Sequence, residues 1–225
     1  DLTIGLMLSL CRKIPFAHAS TKAGHWERRQ DFIGMELRDK TLGIIGFGTI
    51  GRRVAERARA FGMKILVYDP YASEDIIRKL GAKRVSLEDL LRESDIISIH
   101  AALTPETEKM IGEKEFRLMK QTAYLINTAR GKIVDEAALY EALKERRIAG
   151  AALDVYTVEP PPPDNPLFKL DNVIFTPHIG AYTFDALHRM DMMNAEDIWR
   201  FFNGKKPKHV ANPQVLEKFS FTEDD

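Results

Sequence analysis

Short apolar runs alternate along this chain with longer stretches whose apolar residues recur every third or fourth position. The runs are Leu42–Gly46, Lys64–Tyr68, Asp95–Ile99, Ala123–Ile126, Gly150–Leu153 and Val173–Phe175. They read as short strands of a buried sheet. Between the first two, Ile50, Val54, Ala58 and Phe61 share one helical face, with arginines on the other and Gly62 as a stop. Ser86 with Asp89 reads as a capping box before Leu90 and Leu91. Asp135 reads as the N-cap of a helix carrying Leu139 and Leu143. Such alternation predicts an α/β fold of βαβ units, a doubly wound parallel sheet with helices on both faces. Two segments stand outside it: residues 1–14, and the stretch from Thr183 through Leu187, Met190, Ile198, Phe201 and Phe202 to Gly204. Both read as amphipathic helices flanking the sheet. Pro160–Pro163 with Asp164-Asn165-Pro166 reads as a stiff connector, since proline can join neither a helix interior nor a central strand.

Composition narrows the function classes. The 225 residues carry 33 Lys+Arg and 33 Asp+Glu, and this balance argues against a chain built to neutralise nucleic-acid phosphates. Apolar residues make up 44% and charged ones 29%, as expected of an ordinary globular protein. The longest uncharged apolar run, Leu2–Cys11, falls short of the roughly 18 residues a membrane span needs, so no membrane partner is expected. The single cysteine, Cys11, excludes an internal disulfide and a cysteine-based zinc site, and suits a reducing, cytoplasmic compartment. His18, His25, His188 and His209 lack acidic or cysteine partners at metal-ligand spacing, so no metal site is expected.

The sharpest local motif runs from Leu42 to Gly51, with a strand leading in and an amphipathic helix leading out. Gly46 permits a tight turn, Gly48 lets a diphosphate approach the backbone, and Gly51 lets the helix pack closely. The free N–H groups at the helix start then face the diphosphate. Asp69, ending Ile65-Leu66-Val67-Tyr68, is placed to accept both ribose hydroxyls and repel a 2′-phosphate, which points to NAD over NADP. No arginine follows it in Pro70-Tyr71-Ala72-Ser73, so nothing obvious is offered to that phosphate.

Three further strand ends carry chemistry: Arg130 after Asn127-Thr128-Ala129, Asp154 with Glu159 beyond it, and His178 in Thr176-Pro177-His178. Singly, each has a bland reading as a solvated or structural side chain. Together they suit hydride transfer between an alcohol and a ketone. An imidazole gives or takes a proton near neutrality. A carboxylate such as Glu159 would favour the imidazolium and orient the ring. An arginine offers a fork of donors to a substrate carboxylate and adjacent carbonyl. Asp154 could hold the nicotinamide amide.

On these motifs the chain resembles the D-isomer-specific 2-hydroxyacid dehydrogenases, especially the phosphoglycerate dehydrogenase branch. The resemblance rests on the glycine fingerprint with Tyr68–Tyr71, on His100–Thr107, Asn127–Asp135 and Asp154–Pro160, and on Pro177–Thr183. It implies a Rossmann-type NAD-binding domain and catalytic Arg130, Glu159 and His178. It further implies NAD contacts at Gly46, Gly48, Thr49, Ile50, Gly51, Asp69, Ala101, Thr128, Ala129, Arg130, Asp154, His178, Gly180 and Ala181. The implied substrate is a small D-2-hydroxy or 2-oxo acid of phosphoglycerate, glyoxylate/hydroxypyruvate or lactate type, and the implied assembly is a homodimer. Residues 1–25 are then a flanking helix, 26–182 the NAD-binding domain, 183–214 a helix and return segment of a second domain, and 215–225 a tail. The N-terminal part of that second, substrate domain is expected to be missing from this chain. An NAD-binding fragment, or an NAD-dependent interaction protein without turnover, is the alternative.

Overall fold

The computed structural model describes residues 1–222; Glu223-Asp224-Asp225, expected as part of a frayed tail, lie outside the described residues. The chain divides into two units, Asp1–Gly180 and Ala181–Asp225. In the first, helices α1 (Leu2–Cys11) and α2 (Ile14–Lys22) precede β1 (Thr41–Ile45), α3 (Thr49–Ala60) and β2 (Lys64–Tyr68). Then come α4 (Glu74–Lys79), β3 (Lys83–Arg84), α5 (Leu87–Glu93) and β4 (Ile96–Ile99). The remainder is α6 (Glu113–Leu118), β5 (Tyr124–Asn127), α7 (Glu136–Lys144), β6 (Gly150–Leu153) and β7 (Val173–Phe175).

All seven strands run parallel, in the order β3-β2-β1-β4-β5-β6-β7. Successive strand residues serve opposite faces. Leu42 and Ile44 of β1 join one core cluster and Ile45 the other; in β4, Ile96 divides in the same way from Ile97 and Ile99. Both faces are therefore apolar, which is why the strands read as continuous hydrophobic runs and not as alternating ones. Helix α1 belongs to the cluster of Leu42 and Ile44, where Met7 and Cys11 are fully buried. Burial pushes the Cys11 thiol up to about 12, so it stays protonated and inert.

The expected strands and the helix after the glycine turn are present. Asp135 caps α7, accepting the amides of Ala137 and Ala138 at 3.1 and 3.3 Å. The box at Ser86 forms differently. Its hydroxyl accepts the Asp89 amide at 3.1 Å, but the Asp89 carboxylate takes that same hydroxyl at 2.7 Å. Aspartate is one methylene too short to return easily to the cap amide. Strand β3 and helices α4 and α6 are not foreseen by the pattern. A two-residue Lys-Arg strand at the sheet edge carries no apolar signal, and six-residue helices are too short to display a period.

In the second unit, α8 (Phe184–Phe202) is capped by Thr183, whose hydroxyl accepts the Ala186 amide at 3.1 Å. Its C-terminal end packs Phe201 edge-on against Phe219, with ring centroids 5.1 Å apart. Asp197 accepts the amides of Lys208 and His209 at 2.6 and 3.1 Å, folding the return segment back onto the helix.

Candidate active site

Parallel strands deliver their C-terminal loops to one edge, and the order reverses between β1 and β4, where open sheets of this kind form their crevice. Gly46 makes the turn out of β1 with φ +88, and a Cβ there would stand 2.5 Å from the Ala101 nitrogen. Only glycine satisfies both the left-handed backbone and that approach. Beside it opens a cleft of about 720 Å³ lined by Gly46, Gly48, Asp69, His100, Ala101 and Thr104, among others. No atom lies within 4 Å of where a Gly48 side chain would begin, so the start of α3 is open to a ligand. Thr49 and Ile50 are exposed there. The free amides of a twelve-residue helix, an open backbone and an acid at the next strand end fit a dinucleotide: diphosphate at α3, ribose hydroxyls at Asp69.

His100 forms part of the cleft wall, its Nε2 2.8 Å from the Ser98 hydroxyl. Burial pushes its pKa down to about 4, so the ring is neutral at physiological pH. Across the same cleft, the Tyr71 hydroxyl donates to Glu106 at 3.0 Å. Both residues lie in blocks that carry the family resemblance, but only the fold shows them meeting. No arginine follows Asp69 in Pro70–Ser73, but the fold brings one to the same loop. Arg84, distant in sequence, sits on β3 beside β2 and donates to the carbonyl oxygens of Asp69 and Ala72.

After β5, the Asn127 side chain accepts the Ala129 amide and donates to the Arg130 carbonyl, each at 3.0 Å. Thr128 is anchored from α1 by a 3.0 Å contact between its hydroxyl and that of Thr3. This frame presents Arg130 at the surface of the crevice. Gly131 follows because the backbone after β6 passes so close. A Cβ there would lie 2.0 Å from the carbonyl carbon and oxygen of Tyr156. Gly131→Ala is therefore expected to force the two loops apart, costing about 1–3 kcal/mol. At about 2–4 °C per kcal/mol for a chain this size, a thermal melt should show a drop of several degrees. An unchanged melting temperature would mean the loops separate freely.

Asp154 is buried, 1% exposed, and fully engaged. Its Oδ1 accepts the Thr176 hydroxyl at 2.6 Å and the Ile179 amide at 2.9 Å, and its Oδ2 accepts the Gly180 amide at 2.9 Å. These bonds pull the chain back on itself at His178, which adopts φ +54, a left-handed backbone that a non-glycine residue holds only when its surroundings impose it. The turn aims the ring at Glu159: Nδ1 and Oε2 are 2.6 Å apart. Glu159 Oε1 accepts the Tyr156 amide at 3.0 Å. Partial burial opposes ionisation of Glu159, but the His178 ring, the Tyr156 amide and the Arg130 charge outweigh it and hold the carboxyl below its usual range. Glu159 is thus the acceptor and Nδ1–H the donor, leaving Nε2 as the ring nitrogen that can face a substrate. Glu136 braces the same loop, accepting the Thr157 amide at 3.2 Å and the Asn165 amide group at 2.7 Å. Nothing in the spacing of Glu136 announces that role.

Arg130, Asp154, Glu159, His178 and Gly180 all belong to the first unit, while Ala181 is the first residue of the second. Among the described residues no group of three or more His, Cys, Asp or Glu is arranged to hold a metal ion. No helix among them is long and apolar enough to cross a membrane.

Comparison with known proteins matches residues 4–180 to the family model of the D-isomer specific 2-hydroxyacid dehydrogenase NAD binding domain. The chain is 48% identical over 218 residues to D-3-phosphoglycerate dehydrogenase of Archaeoglobus fulgidus, covering 97% of this chain and 41% of that protein. It is 46% identical over 223 residues to glyoxylate reductase of Aeropyrum pernix, covering 96% of this chain and 67% of that one. Among solved structures, D-lactate dehydrogenase with NAD+ from Lactobacillus jensenii superposes with a TM-score of 0.85 at 34% identity, over 94% of this chain and 67% of that one. The chain thus spans between about two fifths and two thirds of these relatives' lengths.

Proposed function

This chain belongs to the D-isomer-specific 2-hydroxyacid dehydrogenase family, and from that premise we propose that it transfers a hydride between NAD and a small D-2-hydroxy acid or its 2-oxo counterpart. The observation that carries the reading is the 2.6 Å contact of His178 with an ionised Glu159 whose carboxylate also feels Arg130. When bound, the nicotinamide ring supplies or takes the hydride at the substrate's second carbon. The chain's own residues do the rest. Arg130 receives the substrate carboxylate and the neighbouring oxygen on its planar fork of donors and draws charge onto that oxygen. His178 gives a proton to the oxygen from Nε2 during reduction and removes it during oxidation. Glu159 holds the ring by Nδ1 and stabilises it while it is charged. Asp154 enters through the turn that aims His178. Gly46, Gly48, Thr49, Ile50, Gly51 and Asp69 receive the diphosphate and ribose, and Ala101, Thr128, Ala129, Gly180 and Ala181 complete the cofactor's surroundings.

The reading extends to a homodimer in the cytoplasm. Exposed Ile14, Trp26 and Ile33 offer apolar surface at the N-terminal end of the first unit, and the buried, unoxidised Cys11 suits a reducing compartment. A monomer in sedimentation at micromolar concentration, or recovery outside the cytosolic fraction, would remove these two points.

The test of the activity is NADH oxidation by the intact protein with glyoxylate, hydroxypyruvate, pyruvate and phosphohydroxypyruvate. Turnover with at least one is expected. NADH binding without consumption of any of them would replace this reading with that of an NAD-dependent interaction protein.

A further inference from the structure

Glu136 opens α7, next to the Asp135 cap, and an acid there ordinarily does no more than favour the positive end of the helix dipole. Its two oxygens are engaged elsewhere. Oε2 accepts the Thr157 amide at 3.2 Å, and Oε1 accepts the Asn165 side-chain amide at 2.7 Å. Thr157 and Asn165 flank the proline run Pro160–Pro163, so one carboxylate closes the loop 157–165 at both ends. The Asn165 end is fixed in its turn. That residue is 6% exposed, and its Oδ1 accepts the Leu167 amide at 3.0 Å. Only a carboxylate offers two acceptor oxygens to the two donors; a neutral amide of the same shape offers one.

Glu159 sits inside this loop, and consecutive amides are taken by different glutamates. Glu159 Oε1 accepts the Tyr156 N–H at 3.0 Å, while Glu136 takes the Thr157 N–H that follows. With Oε1 engaged, Oε2 is the oxygen left for His178, whose Nδ1 lies 2.6 Å away. The Tyr156 hydroxyl donates to the Thr176 carbonyl at 3.0 Å, which ties the same loop to the turn that carries His178. Glu136 itself stands on the segment that leaves Arg130. We propose that Glu136 is a positioning residue: by closing the 157–165 loop at both ends it sets Glu159 against His178 and keeps the pair in register with Arg130. The inference rests on the proposed roles of those three residues, and Glu136 acts only through them.

Glu136→Ala releases both ends of the loop. With the 2-oxo acid that the wild type reduces best, kcat should fall about ten- to a hundredfold, the order of loss that a small misplacement of a catalytic group brings. NADH affinity should stay within about twofold. Glu136→Gln keeps one acceptor oxygen and should lose less. The decisive comparison is a double-mutant cycle. In a Glu159→Gln background, Glu136→Ala should cost almost nothing further, because the carboxylate it positions is gone. A purely structural brace would add its loss in full. Additive losses, or an unchanged kcat in Glu136→Ala, overturn the inference. If Glu136→Ala does not fold, Asn165→Asp takes its place in the cycle, since it keeps an oxygen for the Leu167 amide but sets a second carboxylate against Glu136. A readout without turnover separates this inference from the proposed activity. In protein carrying isotope-labelled histidine, the ring-nitrogen shifts of His178 at alkaline pH should place the proton on Nδ1 in the wild type and divide it between Nδ1 and Nε2 in Glu136→Ala. That result without turnover of any 2-oxo acid would leave the positioning standing and remove the activity. Turnover with the proton fixed on Nδ1 in both proteins would overturn the positioning and leave the activity.

Discussion

His178→Gln is expected to lower turnover by about a thousandfold, within the range of about 10²–10⁴ that a positioned acid–base group contributes. Glutamine preserves an oxygen or nitrogen near the Glu159 carboxylate but cannot shuttle a proton. The loss should therefore fall on kcat, with NADH affinity changed by no more than about twofold, since a group acting only in the transition state leaves ground-state binding largely alone. The turn that carries His178 is held by Asp154 through the amides of Ile179 and Gly180, not by the imidazole, so the variant should fold normally. Stopped-flow single turnovers, paired with an NADH fluorescence titration, separate the two quantities. Equal losses in turnover and in NADH affinity would mean that His178 shapes the cofactor site and does not act on the substrate's oxygen.

Arg130→Lys should cost about 10²–10³ in kcat/KM for a 2-oxo acid, comparable to removing one preorganised donor from a developing oxyanion. Lysine keeps the charge but not the planar pair of donors that fits a carboxylate and its neighbouring carbonyl together. The informative comparison is between pyruvate and methyl pyruvate, or the corresponding pair for whichever 2-oxo acid proves best. Wild-type enzyme should prefer the free acid strongly, because the ester removes the anion that Arg130 receives. In the variant that preference should shrink toward unity. If the variant slows acid and ester by the same factor, Arg130 does not recognise the carboxylate. Its effect would then lie in the loop it shares with Gly131, where the Tyr156 carbonyl would stand 2.0 Å from any Cβ added to the glycine.

Much of the architecture is legible in the linear sequence. Each central strand is buried on both faces, so it reads as an unbroken apolar run, and the helix after the glycine turn shows its period over twelve residues. Caps such as Asp135 and Thr183 are local, because the side chain bonds an amide two or three residues on. Where apolar signal is absent or the element too short, the pattern is silent, as with β3 and α6. Of the candidate site, the residue types at the strand ends can be read, and so can the family they resemble. Of their partners, the chemistry suggests Glu159 for His178; the others cannot be read.

What the sequence by itself determined is therefore what depends on neighbours along the chain: the alternation that makes a parallel sheet, the glycine turn, the caps and the chemistry available at each strand end. What only the tertiary structure decided is which of those ends meet. It passed the Tyr156 backbone over Gly131 and joined Tyr71 to Glu106 across the cleft. It also brought Arg84 to the Asp69 loop, where the residues next in sequence offer no cation. The physical reason is the same in each case. Turns and caps are bonded within a few residues, whereas these contacts join segments at or beyond the ends of different strands, which only the order of the sheet brings together.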